Sequence, residues 1–175
     1  MMKKYKKYLL ACLFIIIYFS VSAQDVVASF LDKHGKDDNL EIVSIGKQMM
    51  GVMYALTLDN PELSEAIKGI EAIRIVSSKD PDLNKEYFDS ARTLLSKSRG
   101  LEEFFAMNEE DSELMVMVRE SKGYVKELIL LLEQAEDEFN LISISGTIDM
   151  DVLLKYSESL NIKELNQLRS VKSNQ

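Results

Sequence analysis

The chain reads as an α+β protein, an antiparallel β-meander sheet with helices packed mainly on one face. Three observations predict this. Helical spacing of apolar residues dominates the first half, and short β-type runs separated by polar turns fill the second. The run Leu128 to Leu132 is apolar at every position, so as a strand it must lie centrally, covered on both sides or used at an interface. A parallel doubly wound sheet fits this order poorly.

Taken in order, Val26, Val27, Phe30 and Leu31 recur at helical spacing and stop before Gly35, which predicts a short amphipathic helix from Asp25 to His34. Leu40 to Ile45 is a β-type run. From Gly46, the residues Met49, Met50, Met53, Tyr54 and Leu56 recur at three and four, predicting a helix with one buried face. Asn60-Pro61 starts another helix, with Asn as cap and Pro at the first position. Ile70 to Val76 is β-branched. Asp80-Pro81-Asp82 then opens the clearest helix, with Leu83, Tyr87, Ala91, Leu94 and Leu95 on one stripe and Gly100 as its end.

The meander follows as Phe104 to Met107, Leu114 to Arg119, Tyr124 to Leu132 and Phe139 to Ser145. Ser121-Lys122-Gly123 supplies the glycine that a three-residue hairpin loop needs at its left-handed position. Asp149 is placed to cap a last helix carrying Val152, Leu153, Tyr156 and Leu160.

The N-terminus adds an address. Lys3, Lys4, Lys6 and Lys7 precede an apolar stretch from Tyr8 to Phe19, followed by Ser20-Val21-Ser22-Ala23-Gln24. This is the three-part order of a secretory signal, with cleavage expected between Ala23 and Gln24. The apolar run is too short for a retained transmembrane helix. Leu9-Leu10-Ala11-Cys12 loosely matches a lipobox, and a lipid anchor on Cys12 is the alternative. A lipobox cysteine closes the apolar region, however, and here that region runs on to Phe19.

The expected organisation is therefore a signal peptide at 1–23, one domain at 24–168 and a polar tail at 169–175. Losing the four signal lysines leaves 17 basic residues against 29 acids, a net charge near −12 that repels nucleic acid and anionic lipid. Cys12 is the only cysteine, so the exported domain has neither disulfide nor thiol chemistry.

The strand Val125 to Leu132, the acidic turn Glu136-Asp137-Glu138 and the segment Leu141 to Asp149, ending Gly146-Thr147-Ile148-Asp149, resemble the exported proteins grouped as domain of unknown function 4252, typical of Bacteroidetes. The resemblance spans the exported chain and is most specific in the meander. It implies the fold and the export. It carries no activity, substrate or catalytic residue, and the lipoproteins among such relatives keep the Cys12 alternative open.

Candidate chemistry is sparse. His34 is the single histidine, and its place at a helix C-terminus is what the dipole favours; a zinc site or a nucleophile triad would have to be assembled from this one imidazole and partners that the sequence does not place. No glycine-rich phosphate loop or nucleophile elbow is present, since Gly46, Gly51 and Gly69 lie too far apart. No cofactor is expected.

Asp149 and Asp151, with the clusters Glu109, Glu110, Asp111 and Glu136, Asp137, Glu138, have the chemistry of calcium ligands or of paired glycosidase carboxylates. Their positions at a helix start and in hairpin turns suit capping and solvation better. Met49, Met50 and Met53 on a helix, and Met115 and Met117 on a strand, suit core packing first, a partner surface second and Cu(I) third.

The reading that follows is a non-catalytic extracytoplasmic binding module of a Gram-negative envelope, with Met115 and Met117 as the candidate interaction surface for an envelope protein or lipid-like partner. The rivals are a carboxylate-dependent hydrolase and a carrier of an apolar ligand or metal. Export places the protein in the periplasm or outside the cell, and the sequence does not fix its oligomeric state.

Overall fold

The computed structural model describes residues 25–109, 112–134 and 138–151. Helix α1 (Val26–His34) is opened by the Asp25 carboxylate, which accepts from the Ala28 amide at 3.0 Å, and it buries Val26, Val27 and Phe30. Strand β1 (Glu41–Ile45) follows, then α2 (Lys47–Leu56) and α3 (Pro61–Ile67). Asn60 caps α3 through the Leu63 amide at 3.2 Å, and Pro61 stands where its missing N–H costs nothing. Strand β2 (Ile70–Ser78) leads to α4 (Pro81–Lys97), and β3 (Glu102–Glu109), β4 (Ser112–Ser121), β5 (Tyr124–Gln134) and β6 (Glu138–Ile148) complete the chain order.

All six strands form one antiparallel sheet in the order β1-β2-β6-β5-β4-β3. The four C-terminal strands pair in sequence as a meander, and β2 docks on the free side of β6. Strand β5 is therefore internal, and Leu128 to Leu132 are at most 3% exposed. Each such side chain is worth about 1.5–3 kcal/mol of burial.

Alternation splits the sheet between two clusters. Ile129 and Leu131, with Phe139, Leu141 and Val76, face α1 and α4 and meet Phe30, Tyr87, Phe88 and Leu95. Leu128, Leu130 and Leu132, with Leu114, Val116 and Ile144, form the second cluster, to which α2 adds Met50 and α3 adds Ile67. The main helical layer is thus α1 with α4. The shorter α2 and α3 lie on the other side, with α2 against β2.

Three local expectations change. The β4–β5 turn is a two-residue loop, because Ser121 pairs with Tyr124 and both Lys122 (φ 55°) and Gly123 (φ 79°) take positive φ, the pattern of a type I′ hairpin. Helix α4 stops at Lys97, where the Ser98 amide bonds Leu95 O, and Gly100 serves the following turn at φ 75°. In α2 only Met50 is buried; Met49 and Leu56 are 56% and 79% exposed, because a short helix over the sheet margin covers one stripe and leaves the other to solvent.

The methionine surface also moves inward. Met117 is buried in the α1–α4 cluster and Met115 packs against it, so the strand face that carries them is the helix-covered one. Met117 is therefore buried and Met115 half-buried on the face that packs against the α1–α4 cluster.

Candidate functional site

Four of the five strand pairings shift register, and all four shifts fall towards one end of the sheet. Phe104 is skipped between the pairs Glu103↔Met117 and Phe105↔Val116. Lys126 is skipped between Arg119↔Glu127 and Glu120↔Val125, and Glu71 between Ile70↔Gly146 and Ala72↔Ser145. Bulges of this kind bend the ladder and re-aim side chains. Here they open a cleft of about 710 Å³ between the start of β2, the β4–β5 hairpin, the start of β3 and the end of β6.

Gly69 lines the cleft, and behind it Gly146 packs against the same backbone. Gly69 has φ 86° and would place a Cβ 2.4 Å from Thr147 O, and a Cβ on Gly146 (φ 149°) would come 2.1 Å from Gly69 O. The two backbones touch here, with the Thr147 amide donating to Gly69 O at 2.8 Å. Only glycine permits this approach.

Ile148 is buried and Val125 half-buried in the cleft floor. Phe104 and Tyr124 stand on its rim, 50% and 58% exposed. The Lys126 ammonium lies 5.4 Å from the Tyr124 ring centroid and donates to Thr147 Oγ1 at 2.7 Å. Glu65, Glu120, Asp149 and Asp151 are also lining residues, against the single base Lys68. Aromatic faces among carboxylates suit an apolar group that carries positive charge.

Of the acids singled out in the sequence, Asp149 and Asp151 reach this cleft. Asp149 also caps, its Oδ1 accepting from the Asp151 amide at 3.1 Å. Glu109 and Glu138 lie at the opposite end of the sheet, paired with Ser112 and Gln134. Glu110, Asp111, Glu136 and Asp137, together with Cys12, Ala23, Gln24 and the stripe Val152, Leu153, Tyr156 and Leu160, lie outside the described residues. Among the described residues no three acidic, histidine or cysteine side chains converge as metal ligands.

His34 lies elsewhere, between Phe30 and Tyr87, with Nε2 2.9 Å from Ser90 Oγ. Burial and the Lys33 charge hold its pKa below the ordinary 6.5, and Lys33 donates to the same Ser90 oxygen at 3.0 Å. Beside it Tyr87 donates to Asp37, which holds that carboxyl below its ordinary 3.8, while burial first and this bond second raise the phenol. Ser90 sits mid-helix with its own amide in the helical ladder, so no oxyanion site adjoins it. The cluster fastens α1 and the following turn to α4. It is a latch.

Sequence reasoning missed Phe104, Tyr124, Lys126 and Thr147. Gly123 was the legible signal, since it marks where the strand must turn.

Fold and site together define an α+β protein with a single antiparallel sheet, covered by its main helical layer on one face and opened into a cleft at its irregular end. The chain belongs to the family described as domain of unknown function (DUF4252), which matches residues 33–156. No curated protein and no solved structure matches it. Among the described residues no helix is long and apolar enough to cross a membrane.

Proposed function

We propose that the protein is a non-catalytic binding module of the extracytoplasmic envelope of a Gram-negative bacterium, with the cleft as its ligand site. The observation that carries this reading is the rim. Nine large apolar side chains are exposed among the described residues, and the two outside the segment 42–58, Phe104 and Tyr124, both line the cleft. An aromatic side chain aimed outward by a bulge is a binding feature rather than a packing one. The Lys126 ammonium 5.4 Å from the Tyr124 ring centroid and the surrounding acids support a ligand that carries positive charge.

An aromatic amine such as phenethylamine is the probe. Titrated into labelled protein, it should shift the amide resonances of Phe104, Tyr124 and Thr147. Tyr124→Ala and Phe104→Ala should each weaken binding about five- to tenfold, as expected for losing one aromatic contact of about 1 kcal/mol. Shifts scattered over the surface, or unchanged in both variants, would reject the cleft. The gathered carboxylates favour a carboxylate-dependent hydrolase as the second reading, which predicts turnover of aryl glycosides lost in Glu120→Gln.

Export rests on Lys3 to Gln24. The intact mass of the secreted protein should place its first residue at Gln24, and lipid on Cys12 would overturn that assignment.

A further inference from the structure

The other seven exposed apolar residues fall in one stretch of the chain, 42–58. Ile42 and Val43 are on β1, Met49, Val52, Tyr54 and Leu56 on α2, and Leu58 just after it. Met50 and Met53 turn α2 towards the sheet, whereas Met49, Val52 and Leu56, spaced by three and four, form an outward stripe. A helix apolar on both sides is ordinarily covered on both.

β1 beneath it is an end strand whose outer edge has no strand partner among the described residues. It has no proline, pairs with β2 without interruption and carries one charge, Glu41. Natural edges usually carry protection of the kind missing here.

We propose that β1 is a self-association edge, at which two copies pair antiparallel through Glu41–Ile45 about a two-fold axis at Val43, with the two α2 helices flanking the seam. Antiparallel pairing of a strand with itself closes under a two-fold axis, so the contact is complete with two chains. That axis runs normal to the sheet and keeps both α2 helices on one face of the joined twelve strands. One operation therefore pairs the open edge and brings the outward stripes of α2 towards each other.

The register is chosen by charge. Centring on Val43 sets Glu41 opposite Ile45 and Ile42 opposite Ser44, using all five strand residues, whereas centring on Glu41 would oppose two carboxylates. Val43 lies opposite Ile75 and Ile42 opposite Val76, so Val43 is on the α2 side and meets its own copy there. The nearest charge beyond Ile45 is Lys47, opposite in sign to Glu41. This inference does not depend on the cleft.

The test uses the chain expressed from its full coding sequence with Cys12→Ser, which removes the only cysteine. In this register the Val43 Cα atoms are about 4.5–5.5 Å apart, within disulfide reach, and the two Ile42 Cα atoms about 7–8 Å apart, beyond it. Val43→Cys should therefore oxidise to a linked dimer while Ile42→Cys, at a site of similar exposure, stays monomeric under denaturing electrophoresis. Sedimentation should give a dimer for the parent chain, and Val43→Lys should weaken it at least about tenfold without changing the circular dichroism spectrum. A parent chain still monomeric at about 100 µM, a Val43→Lys protein as dimeric as the parent, or Ile42→Cys linking as fast as Val43→Cys would overturn the proposal.

Discussion

Strands β1 and β3 bound the same sheet, yet one is the most regular part of it and the other among the least. β1 meets β2 without a register shift and exposes Ile42 and Val43. β3 meets β4 across a bulge at Phe104 and exposes Glu102, Glu103 and Glu109 along its length. Irregularity and charge deter a further strand from adding to β3, and the same bulge aims Phe104 at the cleft. The two proposals amount to a division of labour, the broken edge for a small ligand and the unbroken one for another strand.

The strongest way to break this comparison is through the core that both edges share. Leu130→Ala, at a site 1% exposed, should cost about 2–5 kcal/mol in chemical denaturation. Amides of β1 and β3 should lose protection together. If one edge loses protection and the other keeps it, the two belong to separate cooperative units and the sheet is not one frame.

A smaller effect probes β3 alone. Arg119 donates to Glu127 at 3.0 Å and to Ser98 Oγ at 3.3 Å, and also to the Arg99 carbonyl, so it ties β4 and β5 to the chain entering β3. Both partners of the ion pair are about one-sixth exposed, at 15% and 17%. Arg119→Met should cost about 2 kcal/mol, most of it from the unpaired Glu127 carboxylate. The loss of amide protection should concentrate at β3. Restoring stability with Glu127→Gln in the same chain would confirm the cause.

Acid probes the β1 side. The His34–Ser90 and Tyr87–Asp37 contacts fasten the turn that delivers the chain to β1. His34 has a lowered folded pKa, so its contribution is full above 6.5 and is lost as pH falls through the folded value. The Asp37 contribution is likewise present above 3.8 and lost below it. Stability should therefore decline in two steps on acidification, and β1 amides, corrected for intrinsic exchange, should open before those of β3. His34→Gln should remove the first step. An unchanged profile would show that the latch does not govern this edge.

The smallest expected effect is on the exposed edge itself. Val43→Lys should alter the unfolding free energy of the monomer by no more than about 0.5 kcal/mol, measured at concentrations below any association. A larger loss would mean that Val43 packs within its own chain and that β1 is not a free edge.

Much of this architecture was legible in the residues because it follows local periodicity. Apolar spacing located α1 and α4, Asn60-Pro61 and Asp80-Pro81 marked helix starts, and the two-sided run Leu128 to Leu132 required a central strand. Gly123 marked the β4–β5 turn without saying what lies beside it. Only the tertiary structure decided which strand face meets α1 and α4, and so left Met117 buried and Met115 half-buried beneath that layer. It also decided the site. Asp149 and Asp151 were visible as acids, but Phe104, Lys126 and Glu71 fall out of register only when neighbouring strands are laid side by side. Alternation along one strand is a property of that strand, whereas a bulge is a mismatch between two, and no single run of residues contains it.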